Sequence, residues 1–181
     1  MDKYIFKKSK SLSGLECDHI ISYFSNCRVL GEEKGQKRIE DHLGRTVVSG
    51  SLNERYFQKL REVLIFSLRQ YTDKHLFLHA LDPIVICSWF NIQRSNPGEG
   101  YFKEHCEHGK DGVKRERLLA WMIYLNDIKY KGGTHWPQQR YTTRPRKGDL
   151  YIWPAAWTHS HYGISAPKEV KYLATGWMSF G

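Results

Sequence analysis

In the first half of the chain, apolar residues recur at helical intervals. Cys17, Ile20, Ile21 and Phe24 follow Ser13 and Glu16, which stand at capping-box spacing, so the pattern predicts a short helix over about 14–26. A second such pair, Ser51 and Glu54, precedes Phe57, Leu60, Leu64, Leu68 and Tyr71 on one face, with Arg55, Glu62 and Arg69 elsewhere. This predicts a longer amphipathic helix with a buried stripe. Beyond residue 80 the period shortens. Stretches rich in β-branched and aromatic residues, at 84–92, 118–125, 149–153 and 170–177, are separated by Gly, Pro and Asn-Asp turn signals. Shorter strands are expected around 102–107 and 158–162. Helices first and many short strands afterwards predict a mainly β fold, a sandwich or jelly roll, with the helices packed on one outer face.

The length of 181 residues suits a single domain, and no internal repeat or low-complexity segment divides it. The expected organisation is a helical support region over 1–82 and a β core over 83–181. An aromatic content of 14% excludes a disordered chain. No run of 18 apolar residues occurs, and residues 1–10 alternate charge and aromatics without a signal-peptide core, so no membrane partner is expected and the setting is expected to be cytoplasmic. The four cysteines form no C-x-x-C pair and are read as reduced thiols. Lys and Arg number 28 against 19 Asp and Glu, a formal charge of +9. That excess permits nucleic acid, an acidic protein or a small anion as partner without choosing among them.

Candidate chemistry lies in the nine histidines. His105 and His108 fall within Glu104-His105-Cys106-Glu107-His108, His159 and His161 flank Ser160, and His135 follows Gly132-Gly133-Thr134. Alternation along a strand puts His105 and Glu107 on one face and Cys106 on the other. A third ligand from a distant strand, His161 or His159, would complete a two-histidine, one-carboxylate face, which holds non-haem Fe(II) with three adjacent positions open. Alone, a His-x-Glu pair is short and frequent by chance.

Around that pair the chain carries, in order, Gly100-Tyr101-Phe102-Lys103-Glu104-His105-Cys106-Glu107, Arg117 ahead of Tyr124-Leu125-Asn126, Gly132-Gly133-Thr134, Pro145-Arg146-Lys147-Gly148-Asp149 leading to Trp153-Pro154, His161-Tyr162-Gly163, then Lys171-Tyr172 and Trp177. In these motifs, over roughly residues 84–180, the chain resembles the prolyl 4-hydroxylase-like family of Fe(II)/2-oxoglutarate-dependent dioxygenases, most closely its small bacterial and phage-type members. The resemblance implies a double-stranded β-helix, the cupin-like jelly roll, and His105, Glu107 and His161 as metal ligands. In the family the distal histidine stands ten residues before a basic residue that binds the far carboxylate of 2-oxoglutarate. Ten residues from His161 is Lys171, whereas ten from His159 is Glu169, an unsuitable anchor for an anion. Tyr124 is implied to donate its hydroxyl to the same carboxylate, and Trp177 to be the aromatic residue near the metal. Core packing is the competing reading of both. His159 is left to a place behind the metal ligands or on the substrate side, or to a structural role.

Two departures from the family pattern stand out. The carboxylate is Glu107 where most prolyl hydroxylases have Asp, and the turn Gly132-Gly133-Thr134-His135-Trp136 lacks the acidic residue of many relatives. His135 therefore either faces the substrate or sits on a wet loop. The implied activity is hydroxylation of a C–H bond, most readily on a prolyl residue of a peptide or protein. It uses Fe(II), O2 and 2-oxoglutarate, yields succinate and CO2, and takes ascorbate as reductant, in the cytoplasm or, for a viral member, the host cytoplasm. The alternative in nucleic-acid chemistry is a demethylating dioxygenase, motivated by Arg140, Arg144, Arg146 and Lys147 with Tyr141 available for stacking. A non-catalytic jelly-roll binding module is the third reading. A basic segment around Lys34, Lys37 and Arg38 is read as a substrate loop or an ordinary surface loop.

Overall fold

Every residue of Ala120–Tyr124 is buried, a burden that only a strand covered on both faces carries. The computed structural model, which describes residues 2–29, 46–109 and 112–181, shows what covers it. The elements in chain order are β1 (Phe6–Lys8), α1 (Gly14–Val29), β2 (Thr46–Ser51), α2 (Gln58–Lys74), β3 (Ile84–Ile86), β4 (Trp89–Ser95), the short α3 (Gly112–Arg115) and β5 (Arg117–Tyr124). They continue with β6 (Thr134–Trp136), β7 (Tyr141–Thr142), β8 (Leu150–Pro154), β9 (Tyr162–Gly163) and β10 (Lys171–Phe180). A seven-stranded sheet has the order β1-β8-β5-β10-β4-β2, with β3 pairing the far end of β10, and a three-stranded sheet has the order β7-β6-β9. The pairings are antiparallel, and the two sheets form the expected jelly-roll arrangement, with α1 and α2 packed against the main sheet.

The alternation of β5 explains the two cores. Leu119, Trp121 and Ile123 face one way and pack with Ile152, Ala174 and Met178 against Ile20 and Phe24 of α1 and Leu60 and Leu64 of α2. Ala120, Met122 and Tyr124 face the other way and join Tyr151, Trp153 and Trp136 between the sheets. Period-two side-chain direction thus separates a helix-covered core from the interior that holds the site.

The first capping box forms as read: Ser13 N–H donates to Glu16 Oε2 at 2.9 Å and Glu16 N–H to Ser13 Oγ at 3.2 Å. The helix it opens runs beyond 26 to Val29. The second does not form. Ser51 ends β2, Glu54 precedes a 3-10 turn over Arg55–Phe57 without a side-chain cap, and α2 starts at Gln58. The stretch 84–92 divides at Cys87–Ser88, where Cys87 N–H donates to the Trp177 carbonyl and the Ser88 carbonyl turns to Leu52 N–H. No strand forms over 102–107, where His105 makes a single bridge to His161, and 158–162 begins as a 3-10 turn at Trp157–His159. The helical first half also contributes β1 and β2 to the main sheet. The segment around Lys34, Lys37 and Arg38 lies outside the described residues. Among the described residues no helix is long and apolar enough to cross a membrane.

Candidate metal centre

Two loops rather than two strands bring the donors together. His105 N–H donates to the His161 carbonyl at 3.0 Å and His161 N–H returns a bond to the His105 carbonyl at 2.8 Å. Two residues on, Glu107 N–H is held by the Ala155 carbonyl at 3.1 Å, just after β8. The result places Glu107 Oε1 3.5 Å from His105 Nε2 and 3.5 Å from His161 Nε2. One donor atom from each of the three residues lies within 4.8 Å of the others.

The rings are fixed for metal binding. His105 Nδ1 donates to the Lys103 carbonyl at 2.9 Å, and His161 Nδ1 to the His159 carbonyl at 3.0 Å. A carbonyl only accepts, so each Nδ1 carries a proton, and each Nε2 is the ring atom left facing Glu107 Oε1. His105 Nε2, His161 Nε2 and Glu107 Oε1 would therefore hold an ion between them. Two imidazoles and one carboxylate fit Fe(II), and the half-open setting leaves positions for a chelating ligand.

Glu107 is held by its second oxygen. Oε2 accepts from Trp177 Nε1 at 2.7 Å and lies 3.5 Å from Arg117 Nη1, which also donates to the Glu107 carbonyl at 3.2 Å. The guanidinium stacks 3.6 Å above the Trp177 ring, so the two residues form one support. Burial alone pushes the Glu107 carboxyl up, but hydrogen bonds and charge from His105 and His161 outweigh it and hold the group well below the usual carboxylate range.

A cavity of about 570 Å³ opens beside these donors, lined by residues of both sheets. Lys171, 7% exposed, lies on its wall and donates to the Gly132 carbonyl at 3.1 Å. Tyr124 does not line the cavity. Its buried hydroxyl lies 2.6 Å from Thr143 Oγ1 and 3.2 Å from Thr134 Oγ1, and Thr134 is the residue of this group that reaches the cavity. His159 is also absent from the wall. Its ring turns toward Asp2, 3.5 Å away, and Tyr4, while its backbone carbonyl serves His161. His135 is held by Thr142 at 2.7 Å and meets the Tyr162 ring at a tilt, half-exposed on β6 and away from the cavity. His108 stands at the mouth and bonds the Arg115 carbonyl at 2.7 Å. The basic stretch Arg140, Arg144, Arg146 and Lys147 contributes nothing to the lining, and Lys147 pairs with Asp18 at 2.6 Å. Sequence reasoning noted Arg117 only as a motif residue and passed over Thr143 and the polar inner face of β4, Asn91, Gln93 and Ser95. The alternation of polar residues at 91, 93 and 95 was the available signal.

A model of the 2OG-Fe(II) oxygenase superfamily matches residues 90–179. No curated protein matches the chain. Among solved structures, the viral collagen prolyl hydroxylase of Paramecium Bursaria Chlorella virus-1, in complex with 2-oxoglutarate, is similar at a TM-score of 0.73 and 18% identity, covering 98% of this chain and 96% of that one. A Pseudomonas putida prolyl-4-hydroxylase is similar at 0.70 and 15%, covering 98% and 92%. A Trichoplax adhaerens prolyl hydroxylase solved with a hypoxia inducible factor peptide is similar at 0.71 and 13%, covering 98% and 84%. At these identities the likeness shows the fold. Because the converging donors His105, Glu107 and His161 lie on that fold and within the span of the family model, the chain belongs to the 2OG-Fe(II) oxygenase superfamily and is an Fe(II)/2-oxoglutarate-dependent oxidoreductase.

Proposed function

We propose that the protein is a prolyl 4-hydroxylase-like enzyme that hydroxylates a C–H bond of a peptidyl or protein substrate. The observation that carries this reading is the convergence of His105 Nε2, His161 Nε2 and Glu107 Oε1 beside a cavity that also exposes Lys171. His105, Glu107 and His161 hold Fe(II), and Lys171 receives the far carboxylate of 2-oxoglutarate through a charge-assisted hydrogen bond. Thr134 adds a hydroxyl near that end, kept in place by Tyr124 and Thr143. Trp177 acts as a positioning residue, fixing the carboxylate of Glu107. When bound, Fe(II) and 2-oxoglutarate supply the oxidation, with O2 consumed and succinate and CO2 released as the C–H bond becomes C–OH.

The protein excludes water from this chemistry on one side with Trp153 and Met122, both buried in the wall, and leaves the other side open for substrate. The likeness to three prolyl hydroxylase folds supports the peptidyl choice. Ascorbate is the reductant in this reading, and the setting is cytoplasmic, which the four free thiols support. Succinate release measured across proline peptides, free amino acids and methylated oligonucleotides tests the substrate. Turnover with a proline peptide is expected, and turnover with oligonucleotides alone would overturn the reading. His161→Ala and Glu107→Ala are expected to abolish it. Lys171→Ala should raise the 2-oxoglutarate KM by roughly thirtyfold, the equivalent of about 2 kcal/mol.

A further inference from the structure

The charged groups on the cavity wall are unevenly divided. Lys103, Lys114, Arg117 and Lys171 line it, and among the described residues the one acidic side chain that does so is Glu107. In the reading above, on which this inference rests, the divalent ion and the cosubstrate dianion cancel, and Lys171 and Glu107 cancel. Arg117 is stacked on Trp177 beneath Glu107. Two cations at the exposed mouth, Lys103 and Lys114, are left for whatever enters next.

These lysines are built into the ligand loop. The Lys103 carbonyl accepts the Nδ1 proton of the metal ligand His105 at 2.9 Å. The Lys114 carbonyl accepts from Gly109 N–H at 3.3 Å, and the Lys114 side chain lies so close over Gly109 that a Cβ there would meet its Cδ at 2.9 Å. His108 ties the same two segments through the Arg115 carbonyl. The backbones that carry both ammonium groups are therefore anchored within a few residues of the metal ligands.

We propose that the active-site mouth selects a carboxylate-bearing substrate, an acidic peptide segment whose Asp or Glu side chains pair with Lys103 and Lys114 while the target C–H is presented to the metal. The ammonium groups orient the substrate and speed its approach, so binding weakens as salt rises. A free acidic amino acid shares this chemistry and is the other source to separate.

Two fluorescein-labelled proline peptides of equal length, one flanked by Glu and one by Lys, are titrated by anisotropy against the full-length protein loaded with Mn(II) and 2-oxoglutarate. The Glu peptide is expected to bind at least tenfold more tightly, and the double variant K103E/K114E to invert the preference. An inverted preference is a gain that misfolding cannot mimic. Equal binding of the two peptides by the wild type, or an unchanged preference in the double variant, would overturn the proposal. Competition by free glutamate as strong as by the unlabelled Glu peptide would overturn the peptide assignment. The underlying reading fails separately, if His161→Ala leaves Mn(II)-dependent 2-oxoglutarate binding intact by calorimetry.

Discussion

Glu107 shows how one side chain serves two surroundings. Oε1 faces the two imidazoles while Oε2 is bound by the Trp177 indole at 2.7 Å and approached by Arg117. A glutamate here has one more rotatable bond than aspartate, and each fixed partner on Oε2 removes freedom that the longer arm would otherwise keep. Trp177→Phe keeps a ring beneath Arg117 but deletes the N–H. We expect it to lower Mn(II) affinity by about tenfold, the scale on which partners of metal ligands act, with little change in thermal stability. Isothermal titration of the metal-free protein with Mn(II) checks this, and an unchanged affinity would show that packing alone positions the carboxylate. The spacing of His105, Glu107 and Lys171 was legible in the chain. The role of Oε2 was not, because Arg117 and Trp177 are brought to it by the register of β5 against β10.

The strands that were easy to read are those whose burial is decided by their own pattern. β5 and β10 are long and apolar enough that neighbours hardly matter. β1, β6 and β7 are two or three residues long, and only pairing across the chain makes them strands. The same limit explains the failed capping box. Ser51 had the right spacing from Glu54, yet its backbone was claimed by Trp89 of β4. Gly132 and Gly133, legible as a motif, have distinct physical duties. Gly132 sits at φ +76°, a left-handed conformation that side chains resist. A Cβ on Gly133 would overlap the Thr143 carbonyl oxygen. Gly133→Ala must therefore push β6 from the 140s segment, where Thr143 N–H donates to the Thr134 carbonyl at 3.0 Å. We expect a loss of about 1–3 kcal/mol, seen in urea denaturation, together with a raised 2-oxoglutarate KM as Thr134 shifts. Destabilisation with an unchanged KM would separate Thr134 from cosubstrate binding.

At the scale of the whole molecule, the first ten described residues bind the outer helix to the metal-bearing end of the jelly roll. β1 pairs with β8, and Lys7 bonds the buried Asp149 at 2.8 Å. Tyr4 stacks on His75 at the end of α2, with 5.2 Å between ring centroids, and meets His159 edge-on at 6.2 Å. Burial, with the charges of Lys3 and Lys74, lowers the pKa of His75 below its ordinary value, and burial likewise lowers that of His159. In the unfolded chain both regain an ordinary value of about 6.5. On acidification through that value the unfolded chain therefore binds protons that the folded chain refuses, and stability falls until the lower folded values are passed. The depressed carboxyl of Glu107 works in a different range, because its contribution is kept above the unfolded carboxylate pKa, about 4.3, and is lost only below it. A scan of the metal-free protein between pH 7.5 and about 5.5 therefore isolates the histidines. The midpoint of thermal unfolding is expected to fall across that interval, and His75→Phe, which keeps a ring against Tyr4 but cannot protonate, to flatten the slope. A slope identical to that of the wild type would remove His75 from the acid response and leave the seam to the other residues that touch Tyr4.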